Sequence, residues 1–126
     1  MDILIESTKK FEKDITQLNE TEKTMVINAI NHCSELFIEK KSILYRKLKR
    51  VPFNELGKYS SSLYKLKVSR HLSIILTVDE DPIFQQVIFT LFRVVKQSDI
   101  EKAYRGIVES LYQGFLHTAQ ETSKNI

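Results

Sequence analysis

Residues 63–95 read LYKLKVSRHLSIILTVDEDPIFQQVIFTLFRVV, three apolar runs rich in Val, Ile, Leu, Phe and Thr, broken at Ser69–Arg70 and at Asp79–Pro82. β-Branched and aromatic residues suit a pleated, half-buried backbone, while Ser, Asp and Pro favour turns, so the stretch is expected to form three consecutive antiparallel strands. In the first, Tyr64, Leu66 and Val68 alternate with Lys65 and Lys67. A period of two sends the apolar set to a core and the lysines to the opposite face of the sheet. The second strand, Leu72–Val78, and the third, Ile83–Val95, are more continuously apolar, as expected of central strands covered by helices. Arg93 is the one charge inside the last strand. A cation there requires a partner or solvent, because a buried unpaired charge is costly.

Around this stretch the pattern turns helical. Ile3–Ile5 suggests a short first strand, followed by Ser7 and Thr8 as helix caps. Phe11, Ile15 and Leu18 then fall at i, i+4 and i+7, one stripe of an amphipathic helix. Asn19 with Glu22 three residues later marks a new cap, and the helix it opens carries Met25, Val26, Ala29, Ile30, Cys33, Leu36 and Phe37 on one face. Between Lys40 and Ser62 the periodicity fades and Pro52, Asn54, Gly57 and Ser60–Ser62 signal a loop. Ser98 and Asp99 can cap a closing helix with Ile100, Ala103, Tyr104, Ile107, Val108, Leu111, Tyr112 and Phe115 at spacings of three and four; residues 118–126 are expected to fray.

A length of 126 residues suits one domain with one core. No apolar run reaches the roughly 18–20 residues of a membrane-spanning helix, Met1–Ser7 has no leader pattern, and the single Cys33 has no partner for an internal disulfide. These features lead to the expectation of a cytoplasmic protein without membrane contact. The formal charge of +3 conceals an asymmetry. Residues 40–70 hold Lys40, Lys41, Arg46, Lys47, Lys49, Arg50, Lys58, Lys65, Lys67 and Arg70 against Glu55 alone, ten cations to one acid and a local charge of +9. The remainder holds nine cations and fifteen acids, a balance of −6. One strongly basic segment on an otherwise acidic chain is the pattern expected for contact with a polyanion or an acidic partner; a solvated charged loop is the plainer alternative.

The sequence lacks a phosphate-cradling Gly-rich loop, a zinc-protease helix motif, paired cysteines and a nucleophile elbow. No cofactor and no metal are expected, since the acids at 79–81 lack the spaced oxygen ligands of a hard-cation loop. Cys33, Tyr64, Tyr104 and Tyr112 fit packing, and His32 and His117 stand alone. His71 is the exception among the histidines because it adjoins Arg70 at the end of the lysine-bearing strand. Lys65, Lys67, Arg70, His71 and Arg93 therefore form the candidate constellation. Cations on one sheet face can hold a phosphate backbone, and a guanidinium can stabilise charge developing on a phosphate. RNA cleavage adds only an acid and a base, because the adjacent 2′-hydroxyl is an internal nucleophile.

The order of these features, with TyrLysLeuLysVal at 64–68, an apolar strand, an acidic turn, PheArg at 92–93 and a closing helix, resembles the RelE/ParE superfamily of bacterial toxins over about residues 3–112. The resemblance implies an α+β fold: a small antiparallel sheet, mixed through the N-terminal strand, packed against an N-terminal helical hairpin, with a C-terminal helix. It implies a toxin that cleaves messenger RNA on the ribosome, with Arg93, Lys67, Lys65, Tyr104 and His71 as catalytic candidates. Lys40, Lys41, Arg46, Lys47, Lys49, Arg50, Lys58 and Arg70 are the RNA-binding candidates. It further implies an antitoxin protein as partner. Ser69 replaces the family's Gly, and Leu72 and Ser73 occupy the place of its second-strand Arg. That departure leaves open the alternatives of a gyrase-directed inhibitor without catalysis, as in the ParE branch, and of a member without toxicity.

Overall fold

Thr8 stands between the first strand and the first helix, and its side chain shows how the two are joined. Its hydroxyl donates to the Phe92 carbonyl (2.8 Å) and accepts from the Phe11 backbone N–H (3.1 Å), so one residue caps a helix and moors it to the sheet. The computed structural model describes residues 1–50 and 63–110. Expectations for Lys58, for the loop signals from Pro52 to Ser62 and for the closing helix past residue 110 lie outside the described residues.

The elements are β1 (Asp2–Ser7), α1 (Lys9–Thr16), α2 (Glu20–Glu39), α3 (Lys41–Lys47), β2 (Lys49–Arg50), β3 (Leu63–Lys67), β4 (Leu72–Asp81) and β5 (Gln86–Lys96). A 3₁₀ turn, Gln97–Asp99, leads into α4, helical through residues 100–110. The sheet order is β1-β5-β4-β3-β2, with β1 parallel to β5 and the other pairs antiparallel. The expected α+β fold with a mixed sheet is thus observed. α2 opens with the capping box expected from Asn19 and Glu22: each side chain accepts a hydrogen bond from the other residue's backbone N–H (2.8 and 3.1 Å).

Two apolar clusters lie on opposite faces of the sheet. α1 and α2 cover one face, burying Phe11, Val26, Cys33 and Phe37 against Leu66, Ile74, Leu76, Phe89, Leu91 and Val94. Phe37 meets Phe89 edge-on at 5.9 Å between ring centres. Cys33 is the core residue expected, and burial pushes its thiol pKa up to about 11 against the opposing influence of Lys47. Met25, assigned to the same stripe, is instead 37% exposed. On the other face α4 buries Ile100, Ala103, Tyr104, Ile107 and Val108 over Leu63, Ile75 and Val95.

Two expectations about element bounds are corrected. The segment after Lys40 is not loop throughout: residues 41–47 form α3, and Lys49–Arg50 pairs with β3. Leu44 and Leu48, four residues apart, are both buried. Seven residues are too few for an independent helix, so α3 depends on this packing and its signal is diluted by flanking charges. Asp79–Asp81 also belong to β4, paired with Gln86–Ile88, and the turn lies at residues 82–85. The Asp81 carboxylate accepts from the backbone N–H groups of Ile83 (3.0 Å) and Phe84 (3.3 Å), and Gln85 completes the reversal at φ 51°. β5 therefore starts at Gln86 rather than Ile83.

Candidate functional site

The position of Arg93 depends on a β-bulge. Ile75 pairs with Arg93 but Leu76 pairs with Leu91, leaving Phe92 as the extra residue. Before the bulge, Val87, Phe89 and Leu91 face the helical hairpin; after it Val94 does, and Val95 faces α4. One inserted residue thus reverses the alternation and puts Arg93 on the α4 side. Lys65 pairs with Ile75 and Ile75 with Arg93, so two of the expected catalytic cations, Lys65 and Arg93, occupy one row across the sheet.

They do not converge. Ile75 lies between them, wholly buried beneath α4, and Arg93 is engaged elsewhere. Its Nε and Nη2 donate to the two carboxylate oxygens of Asp14 at 2.7 and 3.1 Å, and Asp14 also accepts from the Val94 backbone N–H at 3.1 Å. The Arg93 side chain is 26% exposed and that of Asp14 13%. This fork-to-fork pair holds the Arg93 pKa above its usual value, chiefly through the Asp14 hydrogen bonds and against partial burial. Tyr104, expected to support chemistry, is completely buried.

The other cations form a separate group. Lys47, Lys49, Lys65, Lys67 and Arg70 line a concavity of about 380 Å³ together with Ser73 and Gln97. Four structural pieces deliver them: the end of α3, β2, β3 and the β3–β4 turn. Lys49 and Lys65 stand directly opposite each other across β2 and β3, and Lys67 stands opposite Ser73 across β3 and β4. The turn is held by Ser69, whose Oγ accepts from the N–H groups of His71 (3.3 Å) and Leu72 (3.2 Å), and by the Gln97 N–H donating to the His71 carbonyl (2.9 Å). Among the described residues no carboxylate lines the cleft and none of its five cations has an ion pair. Like charges directly opposed on neighbouring strands destabilise a sheet, so this grouping works against the fold and suits an anion from outside.

The remaining RNA-binding candidates divide. Lys41 is ion-paired with Glu80 and lies over the Phe37 ring at 5.3 Å. Arg50 lies over the Tyr64 ring at 5.9 Å. Tyr45 donates to Glu80 (3.0 Å), and its pKa is raised, first by burial and then by that bond. Lys40 and Arg46 are exposed, and Lys47 approaches His32 at 3.3 Å between Nζ and Nε2. His71 is exposed on the turn beside Arg70. The sequence reading overlooked Asp14, although an acid at i+3 from Phe11 sits within the apolar stripe of α1 and signals a buried partner.

The chain shows partial likeness to several solved structures. The RelBE2 toxin–antitoxin complex of Mycobacterium tuberculosis matches at 11% identity over 77% of this chain and 100% of that one, with a TM-score of 0.47. YafQ from E. coli matches at 18% identity over 76% and 94% with a TM-score of 0.49, and the RelB–RelE antitoxin–toxin complex of Methanococcus jannaschii at 18% over 77% and 95% with 0.48. No protein-family model and no curated protein sequence matches the chain. Among the described residues no helix is long and apolar enough to cross a membrane, and no group of three or more His, Cys, Asp or Glu is gathered for a metal.

Proposed function

We propose that this chain is the toxin of a toxin–antitoxin pair and that it acts on messenger RNA at the ribosome, in the cytoplasm. The observation that carries this reading is the cleft of Lys47, Lys49, Lys65, Lys67 and Arg70, which no acid lines among the described residues. The RNA backbone lies along the cleft, with ammonium groups on successive phosphates. Lys65 and Lys67 stabilise charge that develops on the scissile phosphate as the neighbouring 2′-hydroxyl attacks and the bond to the 5′-oxygen breaks; His71, on the β3–β4 turn beside the cleft, takes the 2′-hydroxyl proton and returns one to the leaving 5′-oxygen. The antitoxin is an acidic protein that covers the cleft and restrains the toxin.

A second reading follows from Arg93 and Tyr104. With the guanidinium held by Asp14 and the tyrosine buried between α4 and the sheet, the described arrangement favours binding without cleavage, as in a gyrase-directed inhibitor. Incubating the purified chain with translating ribosomes and mapping message ends, beside a gyrase supercoiling assay, separates the two. New message ends that vanish in the Lys65→Ala/Lys67→Ala double variant support the first; blocked supercoiling with intact RNA supports the second.

A further inference from the structure

Ser73 is the one side chain among the described residues with a buried polar atom that has no hydrogen-bond partner. It is wholly buried on β4, in a run where Leu72, Ile74, Ile75 and Leu76 are all buried and apolar. A hydroxyl left unpaired in such a place costs stability, and folded proteins keep few of them. Ala or Val would continue the strand without that cost. Ser73 also lines the cationic cleft, directly opposite Lys67 on the same face of the sheet. The orphan donor and the uncompensated cations therefore belong to one place.

We infer that the Ser73 hydroxyl is the floor of a phosphate seat: its O–H donates to one oxygen of a bound phosphate while the ammonium groups of Lys67 and Lys65 hold the others. A tetrahedral oxyanion suits this set, because it offers several acceptors at once to donors of two kinds, one neutral and fixed and the others charged and flexible. The lysine side chains part to admit it, which their rotatable stems allow. The role of Ser73 deepens the RNA reading, since a backbone phosphate and free inorganic phosphate present the same oxygens.

The test compares the full chain with its Ser73→Ala variant, using inorganic phosphate and a short single-stranded RNA as separate probes. The expected result is that ligand-free Ser73→Ala melts at the same or a higher temperature, the orphan having been removed, while its affinity for both probes falls about five-fold, the value of one hydrogen bond. In the wild-type protein the backbone amide signals of Ser73 and Lys67 shift as phosphate is added. Unchanged phosphate affinity in the folded variant, or amide signals that stay still, overturns the seat. Weakened phosphate binding in a protein that binds no RNA keeps the seat and removes the RNA reading; RNA binding indifferent to Ser73→Ala does the reverse.

Discussion

Arg93 and the Lys65–Lys67 pair project from the same face of one sheet, yet they stand in opposite electrostatic situations. Arg93 is half-enclosed and held by both oxygens of Asp14, which also satisfies the Val94 N–H. The lysines share a concavity with three more cations and, among the described residues, no acid. The first arrangement joins α1 to β5 and serves the fold; the second opposes it. Positive charge on this sheet therefore has two meanings, and presence in the sequence does not distinguish them. The neighbour does.

The largest expected effect comes from removing that neighbour. Asp14→Ala leaves a partly buried guanidinium and a backbone N–H without their acceptor, and urea unfolding should show a loss of about 2–3 kcal/mol. Its RNA affinity should not fall, because the cleft is untouched. Unchanged stability would erase the distinction between the two cation sites.

Lys49→Glu should shift stability in the opposite direction. It replaces a like-charged pair opposite Lys65 with an attractive one, and a gain of about 0.5 kcal/mol is expected in the same unfolding experiment, accompanied by weaker RNA binding. A loss of stability would mean that the cleft cations support the fold after all.

Lys41 is the intermediate case, a surface cation already paired with Glu80. Lys41→Ala should change stability by no more than about 0.5 kcal/mol, as exposed pairs do, and should lower RNA affinity less than Lys65→Ala, measured by fluorescence anisotropy. An effect equal to that of Lys65→Ala would extend the cleft from the end of α3 to its start.

Much of the fold was legible because its signals are local. The period-two alternation of Tyr64, Leu66 and Val68 with lysine, the stripes of α1 and α2 and the Asn19–Glu22 capping box each lie within a few residues of sequence. The lysine face was legible for the same reason. The separation of Arg93 from Lys65 was not, because it depends on α4 crossing Ile75 and on a carboxylate 79 residues away. The bulge at Phe92 is likewise invisible in one strand alone, since a bulge is a property of two strands in register. α3 was hidden because its buried Leu44 and Leu48 stand among charges. Ser73 was visible only as a gap where the resemblance led to an arginine, and its meaning required knowing that nothing bonds its hydroxyl.

The central claim is that uncompensated cations of the cleft bind a nucleic-acid backbone. It is tested most directly by the salt dependence of single-stranded RNA binding in the wild-type chain and in Lys65→Ala/Lys67→Ala. Each lost phosphate contact lowers the slope of log affinity against log salt by about 0.7, so two lost lysines should flatten it by about 1.4, at a fold stability no lower than that of the wild type. An identical slope in the folded double variant would contradict the account.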